Sequence, residues 1–298
     1  MHYKKEKRKD IDLCNICGKS KRLTWDHVPP KCCNNRYAIK TNSWMEGIPE
    51  ESSYTKKYQN GIKFRSLCDE CNNKVLGANY DKVLEEFANQ LAIIMQTSIA
   101  LPPVVKVPIK INRLCRAICG HMLAAKNFYE NECLIDKELR EYVLDETKLP
   151  PKKMSLLYWI YPYSTIAIMR DICVYPSHNK YKFPKGLISI MNSFPAAYII
   201  ADDEERCGLF DLFSVCSNDI DETVEIPVDC SSCYFPGTKH LRPLAWPCNI
   251  SDEEDGASFM LGVDKCMNDS KIAKHSNDNI EKIRNSLQIK SQAEINEL

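Results

Sequence analysis

Cys14-Asn15-Ile16-Cys17 and Cys68-Asp69-Glu70-Cys71 decide how this chain is read. Each is a CxxC knuckle, and together they supply four sulfurs, the set that closes a tetrahedral zinc site. Four thiolates leave zinc no open position, so the ion is expected to hold the fold rather than act on a substrate. The alternative is two unrelated buried pairs, and the polar sequence around both knuckles argues against it. The separation between the pairs exceeds the roughly 15–20 residues of a compact zinc ribbon, so an insertion must lie between them.

Inside that insertion, Thr24-Trp25-Asp26-His27-Val28-Pro29-Pro30 sets a carboxylate beside an imidazole. On a strand, Asp26 and His27 would point to opposite faces and need not share one job. Asn72, Asn73, Lys74 and Gly77 follow the second knuckle directly. Taken singly these are weak signals. An isolated Asp-His pair is more often a surface pair or a satisfied core histidine, and Asn72 or Asn73 also suits a helix cap.

In this order, CxxC, then Asp-His, then CxxC-Asn, the segment over about residues 11–85 resembles the HNH (ββα-metal) endonuclease family, in its zinc-stapled branch similar to endonuclease VII. The resemblance implies a role for each matching position. Cys14, Cys17, Cys68 and Cys71 would hold the structural Zn²⁺. His27 would be the general base that takes a proton from the attacking water, a task suited to an imidazole with a pKa near neutrality. Asp26 and Asn72 would bind one catalytic divalent ion, Mg²⁺ or Mn²⁺, and Asn72 is preferred to Asn73 on position. The implied reaction is hydrolysis of a nucleic-acid phosphodiester, with DNA the expected polymer and a 5′ phosphate left behind. The chain departs from the family at the middle Asn, which commonly supports the loop of the catalytic His. Lys63 stands there, and Asn60 is nearest but out of register.

Charge agrees with a polyanionic partner. Forty Lys and Arg balance forty Asp and Glu, yet residues 1–80 hold 16 basic against 9 acidic residues, leaving 24 against 31 for the rest. Backbone contacts are expected from Lys31, Arg36, Lys56, Lys57, Lys63, Arg65 and Lys74, because phosphate neutralisation supplies most non-specific affinity. A solvated basic tail, Lys4 to Lys9, is the plain alternative. Sixteen Cys without a visible secretory signal or an 18-residue apolar run predict a cytoplasmic protein with thiols or metal ligands, and no membrane association.

The expected fold class is α+β: an N-terminal zinc-stapled ββα-metal module over 1–100, a helical connector over 101–150, a β-rich mixed domain over 151–266 and a polar tail over 267–298. Tyr80, Leu84, Phe87, Leu91 and Ile94 recur at helical spacing. An amphipathic helix is predicted from Ile111 to Ala125 and another from Asp136 to Asp145. Strands are predicted at 156–161, 164–175, 187–190, 197–201 and 209–215. The C-terminal region would set substrate choice, oligomerisation or control by a partner, as in a restriction or phage-defence effector.

Weaker signals have plainer readings. Cys230, Cys233, His240 and Cys248 resemble a second zinc set but are too loosely spaced. Cys115 and Cys119 suit a core, and His121 a satisfied polar group. Cys32 and Cys33, being adjacent, are expected to be packing or redox-sensitive thiols. Tyr158 to Tyr163 is expected to be β core rather than a base-stacking surface, and the acidic runs at 202–205 and 252–255 solvated turns. Two rivals to the nuclease remain. A zinc-stabilised nucleic-acid-binding module without catalysis has no use for Asp26, His27 and Asn72, and a protein-interaction adaptor would bind no DNA.

Overall fold

The computed structural model describes residues 8–41, 56–97, 101–131, 133–161, 166–174, 186–202 and 209–230. Over these the chain is mixed α+β, with four helices and separate antiparallel sheets. Cys233, His240, Cys248, most of the run 202–205, the whole of 252–255 and the tail lie outside the described residues.

The N-terminal sheet has three strands: β1 (Ile11–Leu13), β2 (Ser20–His27) and, beyond the insertion, β5 (Lys63–Cys68). The insertion itself holds a one-turn 3-10 helix, Lys31–Cys33, and the short antiparallel pair β3 (Ile39–Thr41) and β4 (Lys56–Tyr58). β2 and β5 run antiparallel, with Leu23 opposite Cys68 and His27 opposite Lys63. Their register slips between Thr24 and Trp25, so Ser66 is the extra residue of a bulge. Its backbone carbonyl accepts from Asn15 N–H at 2.9 Å, and its hydroxyl donates to Ala124 O at 2.7 Å. The bulge thereby joins the hairpin to the first knuckle and to a helix far along the chain.

Helix α1 (Glu70–Ala78) follows the second knuckle with π-type winding, and α2 (Asp81–Gln96) continues from it. Val83, Leu84, Phe87, Ala88 and Leu91 form the buried stripe of α2, as the helical spacing predicts. Strand β6 (Val104–Lys110) leads into α3 (Ile111–Ala124), and α4 (Leu134–Leu144) comes next. A five-stranded antiparallel sheet has the order β11 (Phe210–Asp211), β7 (Ser155–Ile160), β10 (Ala196–Ala201), β9 (Gly186–Ser193), β8 (Ala167–Val174). Every residue of β7 and β10 is buried, which explains their unbroken apolar sequences. Tyr158, Trp159 and Tyr161 belong to this core, as do Cys115 and Cys119 in α3.

Three features differ from expectation. First, α3 is buried at every position except Arg113 rather than along one stripe. It packs on α2, α4, β5 and β9, so among the described residues it lies at the centre of the packing. Second, 209–215 is only briefly a strand. Asp211 Oδ1 accepts from Phe213 N–H at 3.0 Å and turns the chain into a 3-10 helix, Leu212–Val215. Third, β6 pairs with β12 (Thr223–Asp229), a ladder the sequence reading left out. Pro108 and Pro227 interrupt both sequences and hide their alternation.

A buried charge cluster fixes the end of α3. Asp136 is 1% exposed and binds Lys126 Nζ at 2.7 Å and Arg170 Nη2 at 2.5 Å. Burial alone would raise the Asp136 pKa, but Arg170, Lys126 and Arg140 outweigh it and hold the carboxyl below its usual range.

Candidate functional site

The four cysteines of the two knuckles converge: their sulfurs all lie within 4.8 Å of one another. Cys17 and Cys68 Sγ are 3.9 Å apart, close to the ~3.8 Å edge of a tetrahedron with Zn–S bonds of about 2.3 Å. Gly18 closes the first knuckle at φ +66°, a conformation that glycine adopts without strain. Cys68 N–H points to Cys14 Sγ at 3.3 Å. A hydrogen bond from Cys71, with backbone N–H groups, holds the Cys14 pKa at about 5. Donating that bond pushes the Cys71 thiol up, and burial pushes Cys17 up. One thiolate is favoured and its neighbours resist a second negative charge. A divalent cation removes that resistance, so the donor set fits a metal ion such as zinc.

The knuckles bracket the hairpin end that carries His27. Strand alternation puts His27, Trp25 and their register partners Lys63 and Arg65 on one face, and Asp26 with Thr24 on the other. His27 Nε2 lies 3.0 Å from Asn60 O. A carbonyl only accepts, so Nε2 carries the hydrogen and the Nδ1 lone pair remains for a proton. Burial lowers the His27 pKa below its ordinary value, and Lys63 and Lys31 push the same way. These effects favour the neutral ring.

The loop around His27 is held by Asn35, which the sequence reading did not single out. Asn35 is fully buried; its Nδ2 donates to Pro29 O at 2.6 Å and Ile62 O at 2.9 Å, and its Oδ1 accepts from Ile62 N–H at 2.7 Å. This amide ties the segment after His27 to the segment before β5. Gly61, at φ +69°, completes the contact, since a Cβ there would sit 2.2 Å from Asn35 O. Asn35→Ala would take the side-chain partner from Pro29 O and Ile62 N–H, leaving Ile62 O with Val28 N–H alone, and should cost about 2–3 kcal/mol in urea unfolding. A change under 0.5 kcal/mol would contradict this role.

On the opposite face, Asp26 is only 8% exposed and its Oδ2 lies 3.2 Å from His121 Nδ1. The other His121 nitrogen, Nε2, lies 2.9 Å from Asp81 Oδ1 at the start of α2. Burial lowers the His121 pKa, but Asp81 and Asp26 together raise it well above the ordinary value. His121 is thus a satisfied buried histidine, as expected, but one whose partner is a predicted site residue. Gly120 makes the approach possible, for α3 passes so near α1 that a Cβ there would meet Leu76 Cδ2 at 2.3 Å.

Asn72 lies on α1, and its Nδ2 donates to Thr24 Oγ1 at 3.0 Å. Thr24 and Asp26 share a strand face, so Asn72 stands on the Asp26 side of the hairpin. Asn73 instead bonds Asp69 Oδ1 at 2.6 Å and is exposed. His27, Asp26 and Asn72 therefore gather around one hairpin but engage three different partners. A carboxylate oxygen and an amide oxygen are donors that suit a hard divalent cation.

Among the expected cations, Lys31, Arg36 and Lys74 are exposed. Lys63 and Arg65 are half-buried on the His27 face. Arg65 lies over the exposed Trp25 ring at 5.4 Å and pairs with Asp10 at 2.5 Å. The side chains of Lys56 and Lys57 lie outside the described residues. Cys133, Asp136 and Asp171 also bring ligand atoms within 4.8 Å. Lys126 and Arg170 already neutralise both carboxylates there, which leaves little to attract a cation. Among the described residues no helix is long and apolar enough to cross a membrane. Comparison of the chain with protein-family models, curated proteins and solved structures found no match.

Proposed function

We propose that this protein is a metal-dependent endonuclease of the HNH type, hydrolysing phosphodiester bonds of nucleic acid, with DNA as the expected substrate. The observation that carries the reading is the placement of His27. The ring is fixed through Nε2 to Asn60 O and displayed beside Lys63 on a hairpin whose ends the four cysteines gather. Such an imidazole is poised to accept a proton at Nδ1 from an attacking water.

In this reading β2, β5 and α1 form the ββα-metal module, and zinc at Cys14, Cys17, Cys68 and Cys71 is its staple. The Asp26 carboxylate and the Asn72 amide oxygen would hold the catalytic Mg²⁺ or Mn²⁺. That ion would supply charge stabilisation at the phosphate and the departing 3′ oxygen. Lys31, Lys63, Arg65 and Lys74 would orient the backbone through its phosphates. Asn35 and Gly61 keep the His27 loop in one conformation, as a positioned base requires.

The test is incubation of the zinc-replete protein with plasmid, single-stranded DNA and RNA, with and without Mg²⁺ or Mn²⁺. Nicked or linear product that needs the added ion and carries 5′ phosphates supports the nuclease. Salt-sensitive binding with no product favours a nucleic-acid-binding module, and no binding at low salt favours a protein adaptor.

A further inference from the structure

We infer that His121 is a third protein ligand of the catalytic cation, contributed by α3 from outside the hairpin-helix module, with Asp81 behind it as its orienting partner. The inference rests on the nuclease reading and extends its metal site.

The geometry that points to it is the line Asp81–His121–Asp26. Metal-bound imidazoles characteristically give their second N–H to a carboxylate, which fixes the tautomer and strengthens the ligand. Asp81 Oδ1, 2.9 Å from His121 Nε2, is such a partner. Nδ1 is then the ligating atom, and it faces Asp26 Oδ2 at 3.2 Å. Two donors on one ion with bonds of about 2.0–2.2 Å stand roughly 2.8–3.1 Å apart in octahedral geometry and roughly 3.3–3.6 Å apart in tetrahedral geometry. The observed separation lies between the two, within reach of either by a shift of about 0.1 Å. The same two atoms would repel each other at this distance unless a proton or a cation lay between them. Metal binding would displace the Nδ1 proton to solvent and leave Nε2–H on Asp81.

Sequence position makes the arrangement costly to explain as packing. His121 is 1% exposed in the most buried helix among the described residues. An apolar side chain would fill its place without two carboxylates drawn out of water. A nitrogen ligand also shifts preference toward first-row transition metals, so the site should favour Mn²⁺ over Mg²⁺.

The experiment uses the full chain with its zinc retained and Mn²⁺ as probe, read by EPR titration and electron spin-echo envelope modulation. Wild type and His27→Ala are expected to show modulation from a coordinated imidazole nitrogen, and His121→Asn to lose it with at least a tenfold weaker Mn²⁺ affinity. Asp81→Asn, at a more exposed position, is expected to keep the modulation while weakening Mn²⁺ by about tenfold. It also serves if His121→Asn fails to fold. Absence of nitrogen modulation in wild type, its loss in His27→Ala, its persistence in His121→Asn or unchanged affinity in Asp81→Asn would each overturn the inference. Mn²⁺ binding without a nitrogen ligand would leave the Asp26–Asn72 site standing. No Mn²⁺ binding at all would remove both.

Discussion

Cys68→Ser is expected to leave the N-terminal module unfolded and to abolish its zinc. Cys68 ends β5, lies opposite Leu23 and has its sulfur 3.9 Å from that of Cys17, so it is both strand residue and staple. The module has three short strands, and β1 is exposed at Ile11 and Leu13. Small units of this kind draw folding free energy from the metal, with apparent zinc affinities worth about 10–16 kcal/mol in zinc-finger peptides. Loss of one thiolate removes a large part of that and leaves three sulfurs crowded without a compensating cation. The consequence reaches beyond the module, because Asn15 in the first knuckle donates to Leu123 O and Lys126 O at 3.0 Å each, at the end of α3. Zinc stoichiometry with thermal unfolding of the variant checks this. A variant that stays folded at wild-type stability would remove zinc from the architecture.

His27→Ala is the second large effect, on chemistry alone. The side chain is half-exposed at a strand end, and its one hydrogen bond is to Asn60 O. Truncation should leave the fold and the zinc in place. A positioned general base contributes about 10²–10⁴ in rate, and that is the expected loss in cleavage. The pH profile has a definite sign. A general base works unprotonated, and burial with Lys63 and Lys31 sets the His27 pKa below the ordinary value. Wild-type cleavage should therefore hold steady through neutral pH and fall only under pH 6.5, as the ring takes its proton. A bound cation nearby would push the fall lower still. A rate that declines from pH 8 downward would point to another group as the base.

The local parts of this structure were legible in the sequence, and the non-local parts were not. CxxC spacing announces its own convergence, since sulfurs within one knuckle are neighbours by covalent geometry. Strand alternation gave the opposite facing of Asp26 and His27, and the stripe through Leu84, Phe87 and Leu91 gave α2. The buried surroundings of α3 escaped because polar residues imitate a solvent face. Arg116 donates to Asn112 O, Asp145 O, Glu146 O and Lys148 O, and Asn112 donates to Asp219 O. Each is buried, and apart from Asn112 O the partners come from distant chain. The partners of His121 escaped for the same reason, its two carboxylates being 95 and 40 positions away. Asn35 carries no spacing signal at all, because what it ties together is backbone.

Time courses of plasmid cleavage decide whether the cysteine frame presents His27 as a catalytic base. Wild type and His27→Ala are compared at one zinc per chain and saturating Mg²⁺ or Mn²⁺. Wild type is expected to cut only with the added ion, and the variant at a rate at least a hundredfold lower. Equal rates, or no cutting by either protein on any nucleic acid, would contradict it.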